Sequence, residues 1–260
     1  MDLQLQGKIA IITGGASGIG RAICQTFAEE GAIPVILDRN EELGNQLVQE
    51  LKTKNQEAFF IKVDLMEETQ CKSAIDKVIE KYAKIDCLVN NAGINDSIGT
   101  DSTSENFMLS LQKNLVHVFT MLIYSKEHLI ASKGNIINIG SKVATTGQGN
   151  TSGYAAAKGG IRALTREWAL DLLKFGIRVN EVIPAETWTP LYEKWIASLP
   201  NPEEKLKQIT AKIPLENRMT TPQEIANMVV FLASSRASHI TGQHIYVDGG
   251  YTHLDRAISN

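Results

Sequence analysis

The stretch Thr13-Gly14-Gly15-Ala16-Ser17-Gly18-Ile19-Gly20 decides the fold. Before it runs an apolar segment, residues 8–13 (KIAIIT), with the look of a buried strand. After it, Ile19, Ala22, Ile23, Phe27 and Glu30 recur at helical spacing, and Gly31 ends the run. Glycines at a strand-to-helix junction permit a tight turn. The helix start that follows offers free N–H groups and the positive end of the helix dipole, which together suit a phosphate. The spacing is G-x3-G-x-G rather than G-x-G-x-x-G, and a plain tight turn also accounts for such a cluster. Its place after the first strand turns the reading toward a dinucleotide.

Outward from this turn the alternation continues to the end of the chain. Residues 33–38, 58–63, 85–89, 135–139, 177–183 and 244–247 read as strands. Residues 41–54, 67–83, about 104–131 and 153–174 read as helices, the third as one long helix. Pro34 lacks a donor and belongs at a strand start or where its missing N–H does no harm. Strand–helix alternation predicts a single α/β domain over residues 1–260. It is a Rossmann-type, doubly wound, seven-stranded parallel sheet with helices on both faces. Residues 185–215 are too apolar for a linker, with Trp188, Leu191, Trp195 and Ile196 among them, and read as a lid over a site.

Composition narrows the function classes. The chain is 43% hydrophobic and 21% charged, and no apolar run reaches the roughly 18 residues of a membrane span. The polar start has no signal-peptide layout, so the expected location is cytoplasmic. A net charge of −3 with scattered basic residues argues against nucleic acid. Cys24, Cys71 and Cys87 have neither disulfide nor zinc spacing and read as small buried residues in a reducing compartment. No metal site is expected.

Three further strand ends extend the nucleotide rim. Asp38 closes the second strand about 20 residues after the glycines, where a carboxylate accepts from ribose hydroxyls and repels a 2′-phosphate. NAD is therefore expected over NADP, though Arg39 beside it softens the discrimination. Asp64-Leu65 and Asn90-Asn91-Ala92-Gly93 end the third and fourth strands at the same edge. Any one of these alone is equally an ordinary turn.

Tyr154 and Lys158, four apart at the start of a helix, share a face. A lysine ammonium favours a phenolate, so Tyr154 is expected to titrate below its usual value and exchange a proton with an alcohol. A Tyr-x3-Lys pair is by itself also an ordinary surface pair. Ser141, 13 residues earlier and just after the fifth strand, can orient the reacting oxygen. Asn114 lies inside the long helix, where asparagine is disfavoured, and either holds a water in a proton relay or caps a kink.

With these motifs in order and spacing, the chain resembles the short-chain dehydrogenases/reductases nearly end to end. The resemblance implies that Asn114, Ser141, Tyr154 and Lys158 form a catalytic tetrad, with Tyr154 as acid/base. Lys158 would also bind the nicotinamide ribose. It implies cofactor contacts from Gly14, Ser17, Ile19, Asn90, Gly93, Thr187 and Thr189, and a homotetramer. Residues 180–190 (NEVIPAETWTP) correspond to the nicotinamide border. Ala185 replaces a usual glycine, Thr187 a frequent isoleucine, and Gly140 stands where a second serine is common.

The rim carries Gln148, Asn150, Thr151 and Glu186, and the tail from Tyr251 to Arg256 adds more polar groups, with His253 able to reach in. Such a rim suits a polyhydroxylated substrate, because each unpaired buried hydroxyl costs about 1–3 kcal/mol. Local stretches are similar to sugar dehydrogenases of the family, L-fucose dehydrogenases among them. Ser141, Gln148, Asn150, Tyr154 and Glu186 are thus expected to meet an aldose oxidised at C1 to the lactone. Trp188, Tyr192 and Trp195 either stack on the sugar or form lid core. The competing readings are a carbonyl reductase or alcohol dehydrogenase for keto, acyl or hydroxysteroid substrates, and a non-catalytic nucleotide-binding regulator.

Overall fold

Residues Ile9–Thr13 form the first strand (β1), five consecutive buried side chains with a core on each face. The other strands are Ile33–Asp38 (β2), Phe59–Lys62 (β3), Cys87–Asn90 (β4), Asn135–Ile139 (β5), Arg178–Pro184 (β6) and His244–Val247 (β7). In this computed structural model, which describes residues 2–254, they pair in parallel in the order β3-β2-β1-β4-β5-β6-β7. Pro34 sits where its missing N–H is harmless. Ile33 N donates toward β1, to Lys8 O, so the position of the absent Pro34 donor faces β3, whose pairing begins only at Val35.

The helices cover both faces. Gly18–Glu29 (α1), part of Glu41–Thr53 (α2) and Pro222–Ala233 (α9) close one core around Ile12, Phe27, Ile36 and Val182. Glu68–Tyr82 (α3), His117–Ser132 (α5) and Ser152–Asp171 (α6) close the other around Ile11, Leu88, Val118 and Ile161. Ser104–Leu111 (α4) packs on α6. Pro190–Ala197 (α7) and Pro202–Thr210 (α8) occupy the stretch read as a lid. Cys24, Cys71 and Cys87 are free and buried. Among the described residues no helix is long and apolar enough to cross a membrane.

One expectation needs correction. The long helix over 104–131 is not regular: α4 and α5 are joined by a π-helical turn, Gln112–Val116, with Asn114 inside it. The Asn114 carboxamide explains the widening, since it accepts from Ile94 N at 2.7 Å and donates to Ser110 O at 3.0 Å. Such single turns recur at functional sites because they re-aim one side chain without ending the helix.

β1 and β4 are the neighbours between which strand order reverses. The crevice beyond their carboxyl ends is where open α/β sheets take ligands. The glycine turn lies on one side of it and residues 90–93 on the other.

Candidate active site

The glycine turn is held by its backbone. Gly14 and Gly18 have positive φ (+64° and +54°). A Cβ on Gly14 would lie 3.0 Å from Ala92 Cα, and one on Gly20 would lie 2.1 Å from Gly14 O. Thr13 and Asn91 tie the turn to the end of β4. Thr13 Oγ1 donates to Val89 O and accepts from Asn91 N and Ala92 N, while Asn91 Nδ2 donates to Thr13 O and Gly14 O. Ser17 caps the start of α1 with its exposed hydroxyl uncommitted to the helix. Ile19 packs at the rim of the core.

Asp38 ends β2 beside this turn, accepting from Ala16 N (3.1 Å) and Asn40 N (2.9 Å). Arg39 next to it is exposed. Asp64 is exposed and turns the chain by accepting from Met66 N, with Leu65 partly buried behind it. Asn90 is buried, donates to Asn138 Oδ1, and leaves its own Oδ1 without a partner.

The second half of the site is made of side chains. Gly93 bridges the halves: a Cβ there would lie 3.3 Å from Asn114 Oδ1 and 3.5 Å from Lys158 Nζ. Lys158 is buried and donates to Ile139 O at 2.7 Å. Burial pushes its ammonium down to about 8, opposed by the charge of Glu181. Tyr154 differs from expectation. Burial pushes its hydroxyl up to about 12, and the influence that lowers it is a hydrogen bond from Ser141. Lys158 Nζ lies 5.6 Å from the Tyr154 ring centroid and is spent on the Ile139 carbonyl, so desolvation outweighs its charge here. Ser141, at the end of β5, also accepts from Val143 N.

Beyond Ser141 lies a buried charged cluster. Glu186 accepts from Lys142 Nζ with one oxygen and from Tyr192 OH with the other, at 2.7 Å. Lys142 Nζ also lies 4.3 Å over the Tyr251 ring. The Glu186 carboxylate, expected to await a ligand, is thus already engaged by its own chain.

The base of the segment read as a lid is a bridge between Thr187 and Thr220, closed by Thr220 N to Glu186 O and Trp188 N to Thr220 O, each 2.9 Å. Thr187 Oγ1 is buried and unpartnered. Thr189 caps α7, and its methyl is 3.6 Å from where a Gly18 Cβ would stand. Tyr192 contacts both Trp188 and Trp195 edge-on or tilted, while both indoles keep over a third of their surface exposed.

Other expected residues stand further out. Gln148 and Asn150 are exposed on the loop before α6, Asn150 in the left-handed region against Gly99. His253 packs edge-on against Tyr246 at 4.3 Å. Asp255 and Arg256 of the polar tail lie outside the described residues. Asn91, Lys142 and Glu181 were not among the expected site residues. Asn91 sits inside a quoted motif, Lys142 beside Ser141, and Glu181 is a carboxylate in an otherwise buried strand, which is itself a signal.

A family model described as enoyl-(acyl carrier protein) reductase matches residues 14–252. The L-fucose dehydrogenase of Bos taurus is 36% identical over 252 residues, covering 96% of this chain and 91% of that one. The 3-oxoacyl-[acyl-carrier-protein] reductase FabG of Thermotoga maritima is also 36% identical, over 250 residues, covering 95% and 99%. The crystal structure of the Cj0485 dehydrogenase superposes with a TM-score of 0.94 at 44% identity, covering 99% of both chains.

Proposed function

The chain belongs to the short-chain dehydrogenase/reductase family, oxidoreductases that act on CH–OH groups with a nicotinamide cofactor, and from that premise we propose an NAD-dependent sugar dehydrogenase that oxidises an aldose such as L-fucose at C1 to the lactone. One observation carries this reading. A tyrosine hydroxyl whose titration Ser141 draws down stands one helical turn from a buried lysine, and a charged, polar cluster lies beside them.

The cofactor residues fit a dinucleotide. Gly14 and Gly20 let the turn close on itself and on the end of β4, where a Cβ would meet the chain's own atoms, Ser17 has a free hydroxyl, and Thr187 Oγ1 is an orphaned buried acceptor and donor. Gly14, Ser17, Ile19, Asp64, Leu65, Asn90, Gly93 and Thr189 complete the proposed rim, with Tyr154 and Lys158 at its nicotinamide end. Asp38 at the end of β2 supports NAD over NADP by like-charge repulsion of a 2′-phosphate, and Arg39 opposes it. A nicotinamide cofactor held by this rim would supply the hydride acceptor for oxidation at C1.

The chain's own groups do the rest. Ser141 donates to the substrate oxygen and holds it at Tyr154. Tyr154 takes the C1 hydroxyl proton as its phenolate, or gives one back as the neutral phenol in the reverse direction. The neutral phenol dominates near pH 7, since its value is about 12, so oxidation is expected to quicken as pH rises. Lys158 supplies the positive charge that stabilises the phenolate, and Asn114 fixes the loop at Ile94 that closes this corner. For the sugar hydroxyls, Lys142 offers ammonium donors and Glu186 the lone pairs its two internal bonds leave over, with Gln148 and Asn150 at the mouth. Helices α7 and α8 serve as the lid.

Exposed Val116, Phe119 and Ile123 beside α5, with Leu170 and Leu173 at the end of α6, support the homotetramer implied by the family, read by light scattering. Three buried free thiols accord with a cytoplasmic protein.

A panel of aldoses, aliphatic and steroid alcohols, and an acyl-thioester ketone, followed by NADH absorbance, tests the reading. L-Fucose or a related aldopyranose is expected to give the highest kcat/KM. Efficient turnover of the acyl ketone or a steroid with no aldose activity would move the assignment to the reductase reading that the acyl-carrier relatives support.

A further inference from the structure

Glu181 has no role in the proposed chemistry, yet it is the most deeply buried carboxylate near the site. It lies mid-strand in β6 with no exposed surface, and its Oε1 has no hydrogen-bond partner. That oxygen points at the backbone of Gly140: a Cβ built there would stand 2.1 Å from it. Gly140 is the second half of the Ile139–Gly140 peptide, whose carbonyl receives Lys158 Nζ at 2.7 Å. Carboxylate and ammonium therefore meet the same peptide unit.

The other carboxylate oxygen bonds to His244 Nδ1 in β7, and His244 Nε2 meets Arg166 Nη1 at 2.7 Å. A guanidinium only donates, so Nε2 is the acceptor and Nδ1 carries the hydrogen that is given to Glu181. The imidazole is neutral: burial and the charges of Arg162 and Arg166 hold it down to about 4. Glu181 thus gains a hydrogen bond on this side but no counter-ion. The charges that face it are Lys158, Arg162 and Arg166 of α6.

We propose that Glu181 is a positioning residue for Lys158: its buried carboxylate, oriented by His244, supplies the negative charge that keeps the ammonium protonated and seated on the Ile139 carbonyl. The same contact explains why residue 140 is glycine, since a serine there would take the space of Oε1. Burial raises Glu181 to about 7 and lowers Lys158 to about 8. Each charge opposes the other group's shift: Lys158 lowers Glu181, and Glu181 raises Lys158. Without the carboxylate, Lys158 would face Tyr154 and neutral His117, and burial alone would set its titration.

The inference rests on the proposed role of Lys158 for its effect on turnover, and the test reads the lysine directly. Competitive acetylation of Lys158 with acetic anhydride, quantified by mass spectrometry across pH, reports its titration with no substrate present. Glu181→Gln keeps the shape and is expected to shift the Lys158 midpoint down by roughly one pH unit, with the alkaline limb of kcat/KM moving the same way. Gly140→Ser reaches the carboxylate by displacement rather than deletion and is expected to shift the midpoint in the same direction, which covers failure of Glu181→Gln to fold. Glu181→Asp, which restores the charge, is expected to recover part of the shift. A Lys158 midpoint unchanged in a folded Glu181→Gln or Gly140→Ser protein would overturn the proposal, whatever the substrate proves to be.

Discussion

The two sides of the sheet's carboxyl edge solve the same problem, holding polar groups at a crevice, by different means. Between β2, β1 and β4 the rim is mostly backbone: left-handed glycines, Ala92 standing where it leaves no space for a Cβ on Gly14, and one threonine and one asparagine stitching the loops together. Between β5 and β6 it is side-chain charge taken out of water: Lys158, Glu181, and the pair Lys142–Glu186. Backbone geometry is stable over a wide pH range but intolerant of an added Cβ. Buried charge tolerates shape changes but fails when one partner is removed, because the other is left uncompensated.

Four substitutions test that contrast. Tyr154→Phe removes the oxygen proposed to transfer the proton and keeps the ring. Turnover is expected to fall about 10²–10⁴-fold while NADH binding, followed by fluorescence, persists. Near-normal kcat in a folded variant would mean the side-chain half has been misassigned.

Glu186→Ala leaves Lys142 as a buried cation with no carboxylate. A loss of about 3–5 kcal/mol is expected in denaturant titration, with KM for the sugar raised and NAD affinity unchanged. The double variant with Lys142→Met is expected to regain most of the stability and none of the sugar affinity. If Glu186→Ala alone is as stable as wild type, the pair carries no buried-charge penalty and the contrast weakens.

Asp38→Ala works on the backbone side. It is expected to narrow the NAD-to-NADP ratio of kcat/KM. It also costs about 1 kcal/mol, because Ala16 N and Asn40 N lose their acceptor. An unchanged cofactor ratio would show that the carboxylate buttresses the turn and does not select the cofactor.

Gly18→Ala meets open space apart from the Thr189 methyl, so only its φ of +54° opposes it. About 1 kcal/mol is expected, a fall in Tm of roughly 2–4 °C by calorimetry. A much larger fall would mean that the turn depends on packing as well as on conformation.

The sequence by itself determined the sheet and the glycine turn. Strand runs and helical periodicities are local, and the glycine turn announces itself within eight residues, because a positive φ or a close approach demands glycine wherever it occurs. The placement of Tyr154 and Lys158 one turn apart, and of Ser141 just past a strand end, was legible in the same way, through local spacing. Tertiary structure alone decided the charges. Asn114 sits in a widened, π-helical turn, and Ile94, 20 residues away, offers an N–H to it. Glu186 is engaged because Lys142, 44 residues away, shares its pocket. Tyr154 is raised rather than lowered because burial, which no spacing rule records, outweighs a lysine turned to another carbonyl. Glu181 meets Gly140 only because β5 and β6 lie side by side. Electrostatic energy depends on distance and dielectric in three dimensions, and neither is a property of sequence separation.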